Sequence, residues 1–138
     1  MKMKKILILA AILFAFGISN AQTLRSSSYS TIGSISDEGT VRNSSHSIVG
    51  YIQKDGTIRN SSHSIIGYIT GEGTIRNSSH SIVGYVNKDG TVRNSSYSTI
   101  GYISDEGTVR NSSHSIIGYA KGVKKEWAAV LFFFFIFN

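Results

Sequence analysis

The sequence has no cysteine, no proline and few charged residues, which make up only 16% of its 138 positions. Without cysteine, the chain cannot be a disulfide-stapled scaffold and cannot hold a cysteine-ligated zinc, haem or iron–sulfur group. The length allows one small domain. After residue 21, phenylalanine is confined to residues 132–137. These features indicate architecture more than biochemical activity.

Residues 1–21 have the pattern of a secretory signal peptide. Three lysines precede an apolar stretch at residues 6–18, and Ser19 and Ala21 place small residues where a signal peptidase reads the chain. We therefore expect cleavage before Gln22 and an exported bacterial protein, either periplasmic or extracellular. An uncleaved anchor is the alternative, but the apolar stretch is short for a membrane helix of about 20 residues.

The predicted mature chain, residues 22–138, is only weakly basic. Removal of the first 21 residues takes away three lysines and leaves 11 basic and 8 acidic groups, a net charge of +3. A nucleic-acid-binding domain needs a denser basic face. We therefore expect no nucleic-acid partner.

Residues 22–122 are dominated by a 17-residue repeat. Each unit has a short β-strand signal, Thr-Val/Ile-Arg-Asn, and a longer one, Ser-Ile-Val/Ile-Gly-Tyr-Ile, rich in β-branched and aromatic residues. The first unit is degenerate, with Ser26 in place of asparagine and Ser34 in place of tyrosine. The units begin at Thr23, Thr40, Thr57, Thr74, Thr91 and Thr108.

Two kinds of turn separate these strand signals. Lys54-Asp55-Gly56 and its equivalents suit a three-residue hairpin loop, in which a type I turn is followed by a left-handed glycine. The other turn, Asn60-Ser61-Ser62-His63, consists largely of residues that hydrogen-bond to their own backbone. Because such short units cannot bury a face alone, they need ring closure or stacking. We predict an all-β fold, a small closed up-and-down antiparallel barrel of about ten to twelve short strands.

The glycine-containing loop predicts which residues share a face. It places Ile52 opposite Ile58 and Tyr51 opposite Arg59. The predicted inward face carries Ile48, Gly50, Ile52 and Ile58, and the outward face carries Val49, Tyr51, Thr57 and Arg59. The outward position of Val49 is a misfit, because this position is apolar in every unit. A loop of two or four residues would reverse part of the assignment.

Residues 123–138 are predicted to form a hydrophobic helix that plugs the barrel. Residues 127–137 are all apolar, a run too short to span a bilayer and more typical of a buried helix. A ring of twelve strands has a radius of roughly 12 Å, which can hold a helix about 10 Å wide. The repeated strand glycines are expected to form an inner ring that bulky side chains can approach. The expected plug residues are Trp127, Leu131, Phe132, Phe133, Phe134, Phe135 and Phe137.

The repeat Ile-Gly-Tyr-Ile-x-x-Asp-Gly-Thr-Ile-Arg-Asn-Ser-Ser, the signal ending in Ala-Gln and the tail Lys-Lys-Glu-Trp-Ala-Ala-Val resemble the bacterial β-flower proteins. These are small secreted rings of hairpin petals, some of them five-fold. The family is similar in shape to the Tubby C-terminal domain and phospholipid scramblases, whose barrels enclose a hydrophobic helix. By fold-level analogy, this likeness implies a role at lipid membranes. Five clean Asn-Ser-Ser turns match five petals, whereas the repeat count predicts six.

Serine, histidine and aspartate recur in the repeat, but their spacing argues against a hydrolase. Ser61, Ser62 and His63 lie in one turn, and Asp55 lies in the opposite one. A strand length of about 17–20 Å separates the two turns, whereas catalytic partners must lie within about 3 Å. We therefore expect a non-enzymatic protein.

Histidine recurs at one rim position, which suggests a metal site. Adjacent units should lie about 9–10 Å apart, whereas zinc ligands must lie within about 2.1 Å of one ion. Tyrosine also replaces histidine in two units, at Tyr29 and Tyr97. We therefore interpret these residues as structural rim aromatics and expect no metal and no cofactor. The histidines are His46, His63, His80 and His114.

Arginine recurs opposite tyrosine on the outward face. One interpretation is cross-strand stacking, worth about 0.2–1 kcal/mol per pair. The other is a belt that meets acidic lipid head groups or glycans, although neighbouring acidic residues weaken its field. Lys124, Lys125 and Trp127 join the candidates because basic and aromatic residues combine at membrane interfaces. The candidate lipid or partner contacts are Tyr51, Arg59, Tyr68, Arg76, Tyr85, Arg93, Tyr102, Arg110, Lys124, Lys125 and Trp127.

Two classes of function remain. The leading hypothesis is a non-enzymatic exported barrel that binds lipid or another hydrophobic ligand, or associates with a membrane surface, through its rims or a displaced tail. The alternative is a structural or adhesive cell-surface module. One form of the alternative is a 17-residue solenoid, in which residues i and i+17 pair in parallel and the repeat threonines form a ladder.

Overall fold

Each repeat unit contributes a short and a long β-strand, as its two strand signals predict. The computed structural model describes residues 21–135. Most of the predicted signal peptide and the predicted plug residue Phe137 lie outside this range. The strands are β1 (Gln22–Ser26), β2 (Thr31–Ile35), β3 (Thr40–Asn43), β4 (Ile48–Ile52), β5 (Thr57–Asn60), β6 (Ile65–Thr70), β7 (Thr74–Asn77), β8 (Ile82–Val86), β9 (Thr91–Asn94), β10 (Thr99–Ile103), β11 (Thr108–Asn111) and β12 (Ile116–Tyr119).

The twelve strands form a closed antiparallel barrel in which sequence neighbours are spatial neighbours. The ring closes between β1 and β12, where Arg25 pairs with Tyr119 and Ser26 pairs with Gly118. The predicted closed up-and-down barrel is confirmed. Its antiparallel pairing is incompatible with the parallel ladder of a solenoid, so that form of the alternative is wrong.

The loops at one end of the barrel have the predicted three-residue geometry. Gln53 N donates to the Thr57 carbonyl, and Gly56 N donates back to the Gln53 carbonyl, both at 2.9 Å. Gly56 has a φ of 94°, in the left-handed region that glycine tolerates best. We call this the glycine-loop end, and its left-handed loop residues are Gly39, Gly56, Gly73, Gly90 and Gly107.

The loops at the opposite end have the same geometry with an aromatic side chain in the left-handed position. Asn60 N donates to the Ser64 carbonyl and His63 N donates to the Asn60 carbonyl, both at 3.0 Å. The Asn60 side-chain oxygen accepts from Ser62 N and Ser64 N. These bonds hold His63 at a φ of 67°. We call this the polar-loop end, and its left-handed residues are Tyr29, His46, His63, His80, Tyr97 and His114.

A β-bulge reverses the inward and outward directions predicted for two residues. Val41 pairs with Gly50 whereas Arg42 pairs with Ile48, so Val49 is the extra residue on β4. The bulge buries Val49, which is 7% exposed, and leaves Ile48 36% exposed. The prediction that Ile48 faces inward and Val49 outward is therefore wrong. The apolar residues at the Val49 position in later units, Ile66, Val83, Ile100 and Ile117, also pack against the core.

The most buried layer of the core lies toward the glycine-loop end. Ile52 and Ile58 pair across β4 and β5 and are fully buried, as predicted. Equivalent residues from the other units and four residues of the C-terminal segment belong to the same cluster. Its members buried to 3% exposure or less on the strands are Ile35, Val41, Ile52, Ile58, Ile75, Val86, Val92, Ile103 and Val109.

Within residues 123–135, the C-terminal segment is helical over a shorter range than predicted. An α-helix, α1 (Lys125–Ala129), continues into a π-helical turn, Val130–Phe134, and Phe135 is extended. Trp127 and the three residues after it are buried in the barrel core. Within residues 21–135, no helix has the length and hydrophobicity needed to cross a bilayer.

Candidate ligand-binding site in the barrel lumen

Four consecutive phenylalanines contact strand glycines of four consecutive units. At each of these glycines an added Cβ would collide with a phenylalanine ring, so the rings lie directly on the backbone. The glycines belong to β12, β10, β8 and β6, so the tail advances by one unit per residue. The contacts are Phe132 on Gly118, Phe133 on Gly101, Phe134 on Gly84 and Phe135 on Gly67.

The π-helical turn brings the rotation per residue of the tail closer to the angle between neighbouring units of the barrel. Six units divide the circle into steps of about 60°, whereas an α-helix with 3.6 residues per turn rotates by about 100° per residue. A π-helix bonds residue i to i+5 and therefore rotates less per residue. The Phe135 N–H donates to the Val130 carbonyl at 3.1 Å, which is a bond of this i to i+5 type. Consecutive rings can thus reach consecutive units.

A cavity of about 530 Å³ lies beside the phenylalanines. Its walls come from β1 to β4, the sector next to the unit on which Phe135 lies. Asn43 adds a polar group, and Arg42 contributes to the wall while its guanidinium donates to the His46 carbonyl at 2.9 Å. The apolar lining residues are Leu24, Ile32, Val41, Val49, Leu131, Phe132, Phe133, Phe134 and Phe135.

Several exposed apolar side chains surround the polar-loop end, and one of them, Ile32, also lines the cavity. Tyr29 and Tyr97 are 60% and 57% exposed, and Ile32 is 46% exposed. Ile48 and Ile65, which follow two of the polar loops, are also exposed. Exposed apolar residues grouped at one end of a small protein are typical of an interaction surface.

The arginines and tyrosines predicted as partner contacts lie half-buried on the outer wall. Tyr51 pairs with Arg59 across the hairpin, as predicted. The ring stacked on Tyr51 is His63, with centroids 4.7 Å apart, whereas one of the two interpretations of the sequence places Arg59 there. Arg59 donates to the His63 carbonyl at 2.8 Å. The stacked arrangement recurs at Tyr68–His80 and Tyr102–His114, whereas Tyr85 and Tyr97 meet edge to face.

Lys124, Lys125 and Trp127 come together where the tail enters the barrel at the glycine-loop end. Lys125 Nζ lies 2.5 Å from Asp105 Oδ1 and donates to the Lys88 carbonyl at 3.1 Å. Lys124 Nζ lies 5.1 Å from the centroid of the Trp127 ring, which is 8% exposed. A membrane contact by the Trp127 ring would therefore require the tail to leave the lumen.

A family model described as "5-fold beta-flower protein" matches residues 21–136. The chain belongs to the β-flower family. No curated protein and no solved structure gives a significant match to the chain.

This β-flower has six two-strand units in its described residues, although the family description is five-fold. Residues 21–135 contain six polar loops and five glycine loops. In place of a sixth glycine loop, β1 begins and β12 ends, and the chain turns at Gly122 beside Gln22 toward α1. The five-fold count thus matches the glycine loops, and the sixth position is where the tail enters.

Serine and histidine of this β-flower are separated from aspartate as the spacing predicts. Ser61, Ser62 and His63 lie in a polar loop, and Asp55 lies in a glycine loop at the other end. Asp55 accepts a hydrogen bond from Thr57 N at 2.9 Å, which lowers the pKa of its carboxyl. This carboxylate therefore caps its own loop. Among residues 21–135, no three histidine, aspartate or glutamate side chains are grouped closely enough to hold a metal ion.

The contact between Phe133 and Gly101 predicts a non-additive pair of substitutions. Gly101→Ala should destabilise the β-flower by about 1–3 kcal/mol, because the added methyl overlaps the end of the Phe133 ring and the Arg110 carbonyl. Phe133→Leu removes the overlapping ring atoms. The double variant should therefore be more stable, by about 1 kcal/mol, than the two single effects predict.

Phe134→Leu is the matched control, because the Phe134 ring contacts Gly84. Its effect should add to that of Gly101→Ala in urea denaturation. Equal coupling free energies of Gly101→Ala with Phe133→Leu and with Phe134→Leu would contradict the assignment of one phenylalanine ring to each glycine.

The ion pair of Lys125 predicts a shift in the titration of Asp105. The hydrogen bond and charge of Lys125 hold the pKa of Asp105 below its usual value, so the pair stabilises the fold above the ordinary aspartate pKa. That contribution is lost as the pH falls through the lowered pKa. In Lys125→Met, an NMR titration should show a raised Asp105 pKa, with the Asp55 pKa unchanged. An unchanged Asp105 pKa would exclude the ion pair.

Proposed function

We propose that this chain is an exported, non-enzymatic bacterial binding protein that takes an apolar chain of a lipid or another hydrophobic ligand into the cavity at β1 to β4. The observation that carries the proposal is the cavity of about 530 Å³, lined mostly by aliphatic and phenylalanine side chains. Ligand pockets in proteins typically enclose about 300–1,000 Å³ and are mainly apolar.

The expected affinity follows from the apolar area that the ligand would lose to water. Each buried methylene contributes about 0.8 kcal/mol, so eight methylenes would contribute about 6 kcal/mol before the cost of association. Asn43 is already engaged, because its side-chain oxygen accepts from Ser45 N and Ser47 N. The cavity therefore favours a flexible hydrocarbon chain over a ligand with many polar groups.

The polar-loop end supports a further part of the proposal, association with a membrane surface. Tyr29, Tyr97, Ile32 and Ile48 are exposed there, and tyrosine is enriched at membrane interfaces. The outer-wall arginines reach the same end, since Arg42 and its equivalents donate to carbonyls of the polar loops. An exposed apolar rim with nearby cations suits an anionic lipid surface and would bring the cavity close to acyl chains.

An adhesive cell-surface module is the second candidate. It is favoured by the repetition of one Tyr–Arg–His group around the outer wall. Regularly spaced identical groups can engage a repetitive polymer with avidity even when each contact is weak.

Decanoate binding tests the ligand proposal with a matched pair of variants. Isothermal titration calorimetry of residues 22–138 should give saturable binding. Ile32→Trp should weaken it at least tenfold, because Ile32 lines the cavity. Ile65→Trp should leave it unchanged, because Ile65 is similarly exposed at the same end but does not line the cavity.

Vesicle co-sedimentation tests the membrane part separately. The protein should pellet with vesicles of phosphatidylglycerol more than with vesicles of phosphatidylcholine, and added salt should reduce the difference. Absence of decanoate binding together with absence of vesicle binding would overturn the proposal and leave the adhesive module.

A further inference from the structure

The six polar loops differ in what covers the strand arginine beside them. In five of them, the left-handed loop residue contacts the ring of the tyrosine that pairs with that arginine across the strands. At the sixth loop, Arg42 pairs with Ser34, so the left-handed His46 has no such ring beside it. The five ring pairs are Tyr29–Tyr119, Tyr51–His63, Tyr68–His80, Tyr85–Tyr97 and Tyr102–His114.

Arg42 is more exposed than its equivalents. Of the six strand arginines, Arg42 is exposed and the other five are half-buried. Its Nη1 donates to the His46 carbonyl at 2.9 Å, and its other guanidinium nitrogens have no hydrogen-bond partner within residues 21–135. A guanidinium with unpaired N–H groups binds the oxygens of a carboxylate or a phosphate in a bidentate way. Arg42 is therefore available to an acidic group of a ligand.

Arg42 also lies beside the proposed ligand cavity. It lines the cavity of about 530 Å³, and none of the other five strand arginines does so in the described structure. Ile32 lines the same cavity and is 46% exposed, so the cavity reaches the surface at the polar-loop end. The hydrogen bond to the His46 carbonyl holds the Arg42 guanidinium at this end as well. An exposed cation thus lies next to the mouth of an apolar cavity.

The acidic residues are grouped away from this mouth. All eight of them lie in the glycine loops or in α1, at the opposite end of the barrel. Arg42 forms no ion pair with any of them in the described structure, where Lys125 and Asp105 form the one ion pair. An acidic ligand group at the polar-loop end therefore meets Arg42 without a competing carboxylate.

We propose that Arg42 binds the head group of the hydrophobic ligand, so that the ligand is an anionic amphiphile with a hydrocarbon chain in the cavity and a carboxylate or phosphate at the polar-loop end. This inference rests on the proposed ligand binding and adds to it the class of ligand. Ser34 leaves the side of Arg42 open to the head group, where a tyrosine covers the arginine in the other units.

The choice of head group is tested with three ligands that share a ten-carbon chain. Isothermal titration calorimetry of residues 22–138 should show that decanoate and decyl phosphate bind at least tenfold more tightly than decanol, because decanol carries no charge for Arg42. The tighter of the two anions distinguishes a fatty acid from a phospholipid as the source of the ligand.

The role of Arg42 is tested with variants in the same membrane-free assay. Arg42→Gln should weaken binding of the tighter anion at least tenfold and leave decanol binding unchanged. Arg110→Gln is the matched control and should leave both affinities unchanged. Arg110 makes the same hydrogen bond, to the His114 carbonyl at 2.8 Å, but pairs with Tyr102 and does not line the cavity.

Ser34→Tyr approaches the same site from the opposite strand. It restores the tyrosine of the other units and should also weaken binding of the anion, because the added ring covers Arg42. Since Ser34 does not line the cavity, decanol binding should be unchanged. This variant keeps the inference testable if Arg42→Gln fails to fold.

The outcomes separate this inference from the proposed function. Equal affinity for the three ligands, or an equal loss of affinity in Arg42→Gln and Arg110→Gln, would overturn the head-group site and leave the cavity as a site for a hydrocarbon chain. Absence of binding by all three ligands would overturn the proposed function and the head-group site with it.

Discussion

The contact of phenylalanine rings with side-chain-free strand positions is the interaction on which the rest of this barrel depends. A closed ring of twelve strands has a radius of roughly 12 Å, and its inward isoleucines and valines cannot fill that width at the density of a protein interior. Glycine on β12, β10, β8 and β6 lets the rings of Phe132, Phe133, Phe134 and Phe135 approach the backbone. The repeat and the tail are therefore two parts of a single core.

The two loop types give the two ends of the barrel different properties. Left-handed glycines such as Gly56 close the end where Lys125 fastens the tail to Asp105. Left-handed aromatic residues such as His63 close the other end, where each long strand begins with a bulge. The bulge turns Val49 into the core and leaves Ile48 at the surface. As a result, the glycine-loop end, through which the tail enters, is polar. The polar-loop end, which holds the cavity, has a rim of exposed apolar side chains.

Local chemistry was enough to predict the strands, the antiparallel register of the hairpins at the glycine loops and, with a solenoid as the alternative, ring closure. The loop around Gly56 fixes the pairing of Tyr51 with Arg59. The apolar run after residue 126 needs an enclosed apolar space, and the barrel lumen is the space that the repeats provide. The inversion of Ile48 and Val49 could not be predicted from strand alternation, because one bulge residue reverses it. A signal for the bulge exists, since the position of Val49 is apolar in all six units. The cavity and the π-helical turn depend on how the tail packs inside the closed ring of six units. The sequence of a single repeat contains no signal for that packing. The stacking of Tyr51 on His63 could not be predicted from strand alternation either, because it depends on the left-handed geometry of the polar loop.

Within residues 21–135, the lumen is packed toward the glycine-loop end and contains a cavity toward the polar-loop end, and the proposed ligand binding rests on that cavity. The most direct measurement is a set of nuclear Overhauser contacts between the Phe133 ring and the α-protons of Gly101 in the folded mature protein. The geometry predicts strong contacts to Gly101 and none to Gly33, which is surrounded by Arg42 and Asn43. A folded barrel in which the Phe133 ring shows no contact with Gly101 and is exposed to solvent would contradict the central claim.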